Sequence, residues 1–193
     1  MMIDQYKLEE AASLLLQALG EDTHREGLVK TPLRIGRDWP ELFDGYGQDP
    51  GKILNTSFDA EGYDEMIIRE EIVVNSFCEH HILPFFGHAW VGYIPDKRIV
   101  GLDKLDKLVF CFAHRLQNQE RLTVQVVDAL MEYVQPLGAM VVVKAYHDCM
   151  RLRGVRAAKG LTTTSAVRGL FAIPPEGRDP RGEFLKLTNL GGM

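Results

Sequence analysis

Apolar residues recur at helical spacing in several stretches of this chain and alternate or cluster as strands in others. Residues 5–19 set Leu8, Ala11, Ala12, Leu15 and Leu19 on one stripe, and Gly20 follows as a helix cap. Thr31-Pro32 reads as N-cap and first position of a second helix with Ile35, Trp39, Leu42 and Phe43 on its apolar side, kinked or ended early by Pro40. The stretch from Gly45 to Gly62 lacks periodicity and reads as a surface connector. Two β-branched and aromatic runs, Glu65 to Phe77 and Gly87 to Ile94, predict strands joined through the loop CEHHILPFF. Leu105, Leu108, Val109 and Phe112 then mark one helix, and Leu122, Val126, Ala129, Leu130 and Tyr133 a second. Ala139 to Tyr146 is a buried-strand run, with Leu161 to Phe171 as its antiparallel neighbour.

This order predicts an α+β protein. Its N-terminal helices are followed by a four-stranded antiparallel sheet with two helices on one face, in the order ββααββ. Residues 1–62 form the helical segment and 63–193 the main body of one structural unit. A sheet this small has edges to protect, and joining subunits edge to edge into a closed barrel is one way to do so.

Composition narrows the function classes. The chain has 193 residues, 46% of them hydrophobic and 25% charged, which sets aside disordered and collagen-like classes. Lys plus Arg number 22 against 27 for Asp plus Glu, so the net charge of −5 argues against a nucleic-acid partner. Any anionic ligand must be met by a local basic cluster. Apolar runs such as Leu14 to Leu16 and Ala139 to Val143 fall far short of the roughly 20 residues of a membrane span, so no membrane partner is expected. The acidic start, Met1 to Glu10, does not resemble a signal peptide, which predicts a cytoplasmic protein.

The candidate chemistry lies at two strand exits. Cys78-Glu79-His80-His81 places a thiolate and an imidazole three residues apart, a spacing that reaches one tetrahedral ion. His147-Asp148-Cys149 leaves a second strand in the same way. Cys78, His81 and Cys149 thus offer three ligands, the number that leaves a Zn2+ ion one open position for catalysis. Cys111 falls on a helix stripe and reads as a small core residue. His80 and His147 remain beside the metal set, suited to moving protons near neutral pH, whereas His24, His88 and His114 read as surface or packing residues. Lys104, Lys107, Arg151, Arg153 and Arg156, with Arg34 and Arg37 on the second helix, form a basic set suited to an anionic substrate such as a polyphosphate. No glycine-rich phosphate loop is present, so side chains must hold the phosphates. Gln119-Glu120 opens a helix, and an inward carboxylate there can accept two hydrogen bonds from a planar N–H pair such as that of guanine.

As a whole the chain resembles the GTP cyclohydrolase I family. The matching stretches are EDTHREGLVKTPLRI (21–35), FCEHHILPFFGHAWVGYIP (77–95), VGLDKL (100–105), QNQERLT (117–123), HDCMRLRGVR (147–156) and TTTSAVRGLF (162–171). The resemblance implies the tunnelling fold and a homodecamer of two pentamers with active sites between subunits. It implies zinc ligands at Cys78, His81 and Cys149, catalytic histidines at His80 and His147, and a guanine anchor at Glu120 with Gln119 beside it. It also implies a triphosphate site at Lys104, Arg153, Arg34 and Arg37, and the conversion of GTP into formate and 7,8-dihydroneopterin triphosphate. Asp103 and Lys107 stand where the family usually has Ser and Arg, in the phosphate and ribose region, and Leu116 and Asn118 replace a usual Pro and Val. An added carboxylate repels a triphosphate unless it pairs with Lys104 or Lys107, so altered phosphate or sugar recognition is one expectation. A pterin or deazapurine enzyme of the same fold and an idle nucleotide-binding paralogue are the alternatives. The former lack the CEHH and distant H-x-C arrangement.

Overall fold

The computed structural model describes residues 3–156 and 159–191, in two compact units, 1–48 and 49–193. The first unit holds helices α1 (Gln5–Ala18) and α2 (Thr31–Leu42). Asp4 caps α1 by accepting from the Lys7 backbone N–H. Lys30, not Thr31, is the N-cap of α2, and Pro40 lies inside the last turn without ending the helix early. So close to the end its missing N–H costs at most one intrahelical bond. Leu15 and Leu19, expected on a buried stripe, are exposed in this unit, because two helices cover only the sides they turn to each other.

The second unit begins where a connector was expected. A short 3-10 turn, Asp44–Gly47, ends the first unit, and residues 49 onward fold into α3 (Pro50–Leu54) and β1 (Ser57–Asp59). Strands too short for periodicity to reveal them, β1 and β4 (Arg98–Val100), form a separate antiparallel pair. The main strands are β2 (Ile67–Cys78), β3 (Pro84–Ile94), β6 (Gly138–His147) and β7 (Leu161–Gly169), paired antiparallel in that order. A fifth strand, the two-residue β5 (Leu116–Gln117), lies parallel to the end of β2, so the sheet is five-stranded rather than four-stranded.

Alternation along these strands decides what faces the helices. Ile72, Val74 and Cys78 of β2, Phe85, Ala89, Val91 and Tyr93 of β3, and Ala139, Val141, Val143 and Ala145 of β6 point to one side. There they meet α4 (Leu102–Ala113) and α5 (Gln119–Tyr133) through Leu105, Leu108, Val109, Leu122, Val126 and Leu130. Tyr133, expected on the α5 stripe, is exposed. The opposite face is partly covered by α7 (Pro180–Leu187), which no periodicity announced in its eight residues. Its Phe184 packs with Ile94, Met140, Val142 and Phe171. Gly92 makes room for it, since a Cβ there would stand 2.6 Å from the Phe184 ring.

Candidate metal centre and active site

Cys78 and His147 are the last residues of the core-facing rows of β2 and β6, so the pleat that builds the core also delivers both to the same end of the sheet. His81 follows in the turn after β2, where its N–H donates to the Cys78 carbonyl. Cys149 lies in the single helical turn α6 (Asp148–Arg151) that follows β6. The ligand atoms of Cys78, His81 and Cys149 all lie within 4.8 Å of one another, with Cys78 Sγ 3.6 Å from His81 Nδ1. Two thiols and an imidazole so close form a soft donor set that suits zinc. Burial and the neighbouring Cys78 thiol push the Cys149 thiol above its ordinary range, a cost that a cation would reverse. Cys111 is buried in α4 and takes no part in this group.

The two flanking histidines sit in different surroundings. His80 is largely exposed, its Nδ1 3.7 Å from Cys78 Sγ and its Nε2 3.9 Å from Glu79. His147 lies flat against Phe85, its register partner, with ring centroids 4.7 Å apart and planes 12° apart. Burial holds its pKa below the usual histidine value, against the pull of the nearby Glu120 carboxylate. Its Nε2 lies 2.8 Å from Gln119 Oε1.

The opening turn of α5 is tied to the CEHH turn. Asn118 caps the helix by accepting from the Arg121 N–H at 2.7 Å and donates to Glu79 at 3.2 Å. Arg121 grips both oxygens of Glu79, the shorter contact at 2.5 Å, and holds this carboxyl below its ordinary range. Glu120 is exposed on the same turn. Gln119, expected beside a guanine anchor, is buried, with its side-chain nitrogen facing Val143 O, Thr162 O and Thr164 Oγ1. Apart from the local Asn118 cap, these contacts join residues far apart in sequence and were not legible from local spacing.

The basic residues divide. Arg153 is exposed on the turn after α6, near enough to Cys149 for its charge to favour the thiolate. Arg151 pairs with Asp148 at 3.4 Å and lies over the rings of Phe86 and Tyr146. Lys104 and Lys107 lie elsewhere, on the first turns of α4, whose Asp106 is held by Arg69 near the start of β2. Cys78 closes that strand, on the order of 25–30 Å away along it. One chain therefore does not bring Lys104 and Lys107 to its own metal ligands. Asp103 pairs with both, at 3.2 Å to Lys104 and 2.7 Å to Lys107, and these pairs keep it ionised below its usual pKa. Asp103 and Lys107 border a groove with Arg69, Leu102, Asp106 and Phe110. Arg34 and Arg37 are exposed on α2 of the first unit, and Arg37 is paired with Asp38 at 2.6 Å.

Residues 8–189 match the family model for GTP cyclohydrolase I. This chain belongs to that family. The protein "GTP cyclohydrolase 1" of Wolinella succinogenes is 51% identical over 164 residues, covering 85% of this chain and 88% of that protein. Its namesake in Mycobacterium tuberculosis strain H37Rv is 51% identical over 172 residues, 88% of this chain and 85% of that one. The one in Chlorobium chlorochromatii is 49% identical over 180 residues, 93% and 79% of the two chains. The solved structure of an apo archaeosine synthase QueF-like protein overlaps with a TM-score of 0.43 at 20% identity, covering 54% of this chain and 93% of that one. As a GTP cyclohydrolase I family member the chain is an enzyme of the tunnelling fold, and the CEHH and H-x-C stretches are the ones that converge at the Cys78, His81 and Cys149 group that could hold a metal. Among the described residues no helix is long and apolar enough to cross a membrane.

Proposed function

We propose that this chain is a zinc-dependent GTP cyclohydrolase I that converts GTP and water into formate and 7,8-dihydroneopterin triphosphate, the first step of folate and tetrahydropterin biosynthesis. The observation that carries this reading is the convergence of Cys78, His81 and Cys149 within 4.8 Å, with His80 and His147 at their side. When bound, the zinc ion supplies the Lewis acidity that makes a water nucleophilic towards C8 of the purine near neutral pH. His147 and His80 exchange protons as the imidazole ring of the purine opens and formate leaves. The ribose then rearranges and closes onto the pyrimidine. Glu120 accepts from the guanine N–H pair. Lys104, Lys107, Arg153, Arg34 and Arg37 hold the triphosphate by charge-assisted hydrogen bonds, and Asp103 orients the two lysines.

The distance between Lys104 and the metal ligands supports an assembly in which a neighbouring subunit completes each site. We place the chain in a cytoplasmic homodecamer of two pentamers, closed into a barrel through β7 and the part of β2 that β5 leaves unpaired. The test is to incubate zinc-loaded protein with GTP and follow formate together with the pterin chromophore. Both products are expected. Neither product, with one zinc per subunit, would overturn the reading.

A second reading rests on Asp103, whose pairing with Lys104 and Lys107 draws two cations away from a triphosphate. It predicts a nucleotide with fewer phosphates or another sugar. Comparing GTP, GDP, GMP and dGTP decides between the two, and an ordinary preference for GTP removes the second.

A further inference from the structure

The surroundings of Gln119 fix which way its buried side-chain amide faces. Its side-chain nitrogen lies 3.0 Å from Val143 O, 3.0 Å from Thr162 O and 3.1 Å from Thr164 Oγ1. Two of these are carbonyl oxygens, which only accept, so the atom facing them must be the NH2 group. Turning the amide over would set its oxygen against both carbonyls with no proton between them. The third neighbour agrees. Thr123 Oγ1 lies 2.7 Å from the Gln119 backbone carbonyl, four residues back on the helix, and donates its single proton there. At its 2.6 Å contact with Thr164 Oγ1, Thr123 can therefore only accept. Thr164 donates to Thr123 and is left to accept from the Gln119 nitrogen. The amide has two protons for these three acceptors, so one N–H is shared between two of them.

With the nitrogen fixed inward, Gln119 Oε1 faces Nε2 of His147 at 2.8 Å, and an amide oxygen only accepts. Among the described residues Nδ1 of His147 has no hydrogen-bond partner. Phe85 stacks flat on the ring, and that contact opposes a flip that would exchange the two nitrogens.

We propose that Gln119, locked by Thr164 and Thr123, is a positioning residue that fixes the neutral tautomer of His147 with its proton on Nε2, leaving Nδ1 as the unprotonated nitrogen. Gln119 thereby acts through His147 rather than on the guanine of the substrate. The kinetic part of this inference rests on the cyclohydrolase reading; the placement of the proton does not.

The test therefore has two arms. In the first, zinc-loaded protein carrying 15N-histidine is studied by NMR at about pH 8, above the ordinary histidine pKa of about 6.5. The His147 signals are assigned by their loss in His147→Ala, and Nδ1 is told from Nε2 by its coupling to Cγ. The expected result is a protonated Nε2 and a bare Nδ1. A protonated Nδ1 with a bare Nε2 would overturn the proposal whatever the substrate turns out to be. In the second arm, Gln119→Leu and Thr164→Val are compared in GTP turnover, with zinc content and circular dichroism confirming the fold. Gln119→Leu is expected to lower kcat roughly 10–100-fold, the range seen for residues that orient a site residue from behind, with KM changed less than about threefold. Thr164→Val should fall between that variant and wild type, and Thr164→Ser should restore wild-type turnover. A large rise in KM with kcat unchanged would instead make Gln119 a guanine contact and overturn the proposal. If no variant or wild type turns over GTP, the NMR arm still decides where the proton sits.

Discussion

Replacing Phe85 separates the packing of the core from the positioning of the site, because its ring belongs to both. Phe85 is fully buried on β3 and lies parallel to His147 at 4.7 Å. Phe85→Ala deletes the ring and leaves a cavity that neighbours on β2 and α4 fill only in part, a loss of about 3–5 kcal/mol. Phe85→Leu keeps most of the apolar volume. It loses the ring–ring contact, about 0.5–1.5 kcal/mol, and adds a shape mismatch that usually stays below about 1.5 kcal/mol. Its expected cost is therefore about 1–2.5 kcal/mol. Urea unfolding at one fixed protein concentration and zinc content measures both variants, since assembly and metal would otherwise shift the midpoint. The same Phe85→Leu protein should retain zinc yet turn over GTP more slowly, because the wall that fixes the plane of the His147 ring is gone. A Phe85→Leu cost equal to that of Phe85→Ala, or wild-type turnover in Phe85→Leu, would refute the claim that the stack positions His147.

Other perturbations separate the remaining parts of the site. Cys149→Ala should lose zinc and activity together, whereas Cys111→Ala should keep both; metal analysis by mass spectrometry reads the difference, and loss of zinc in Cys111→Ala would contradict the ligand set. Asp103→Ser frees Lys104 and Lys107, and KM for GTP should fall roughly two- to fivefold at low salt and less at high salt, as screened surface charges require. An unchanged KM would mean these lysines do not meet the triphosphate. Arg121 holds the Glu79 carboxyl below its ordinary 4.5, so this pair stabilises the fold above that value and the benefit is lost as pH falls through the lower folded-state pKa. Unfolding of the metal-free protein between about pH 6 and about pH 3 should show a shallower acid loss in Glu79→Gln than in wild type; equal slopes would remove the pair from the account.

Periodicity was enough for the frame of the molecule and for its chemistry-bearing turns. The main strands and α4 and α5 stand within a few residues of where alternation and helical spacing put them, because each buries one well-defined face against the same core. Elements whose signal is short or tertiary were missed. The two-residue β5 exists through pairing with β2, and the eight-residue α7 through one phenylalanine meeting the space over Gly92. The metal set was legible because CEHH and H-x-C each place their ligands within one turn. The stack of Phe85 on His147 and the enclosure of Gln119 needed a register that local spacing does not contain. Asp103 was legible as an odd charge, but its lysine partners were legible only as possibilities until the helical turn set them at 3.2 and 2.7 Å.

The sheet accounts for the separation of Lys104 and Lys107 from the Cys78, His81 and Cys149 cluster within one chain. Along β2 and β6 the pleat spends its interior on apolar contacts and leaves polar chemistry to the strand ends, where backbone groups are no longer paired along the ladder and turns reach solvent. The ends bearing Cys78 and His147 coincide because β3 links them in register, with Phe77 opposite Pro84 and Phe85 opposite His147. The α4 lysines stand by the start of β2, and sliding them along the strand would forfeit the burial of Leu105, Leu108 and Val109. A rigid sheet cannot fold its own ends together. In the proposed assembly a second copy alongside brings the start of one sheet to the end of another without disturbing either core, and the same edge contact protects the strands that a lone sheet leaves open.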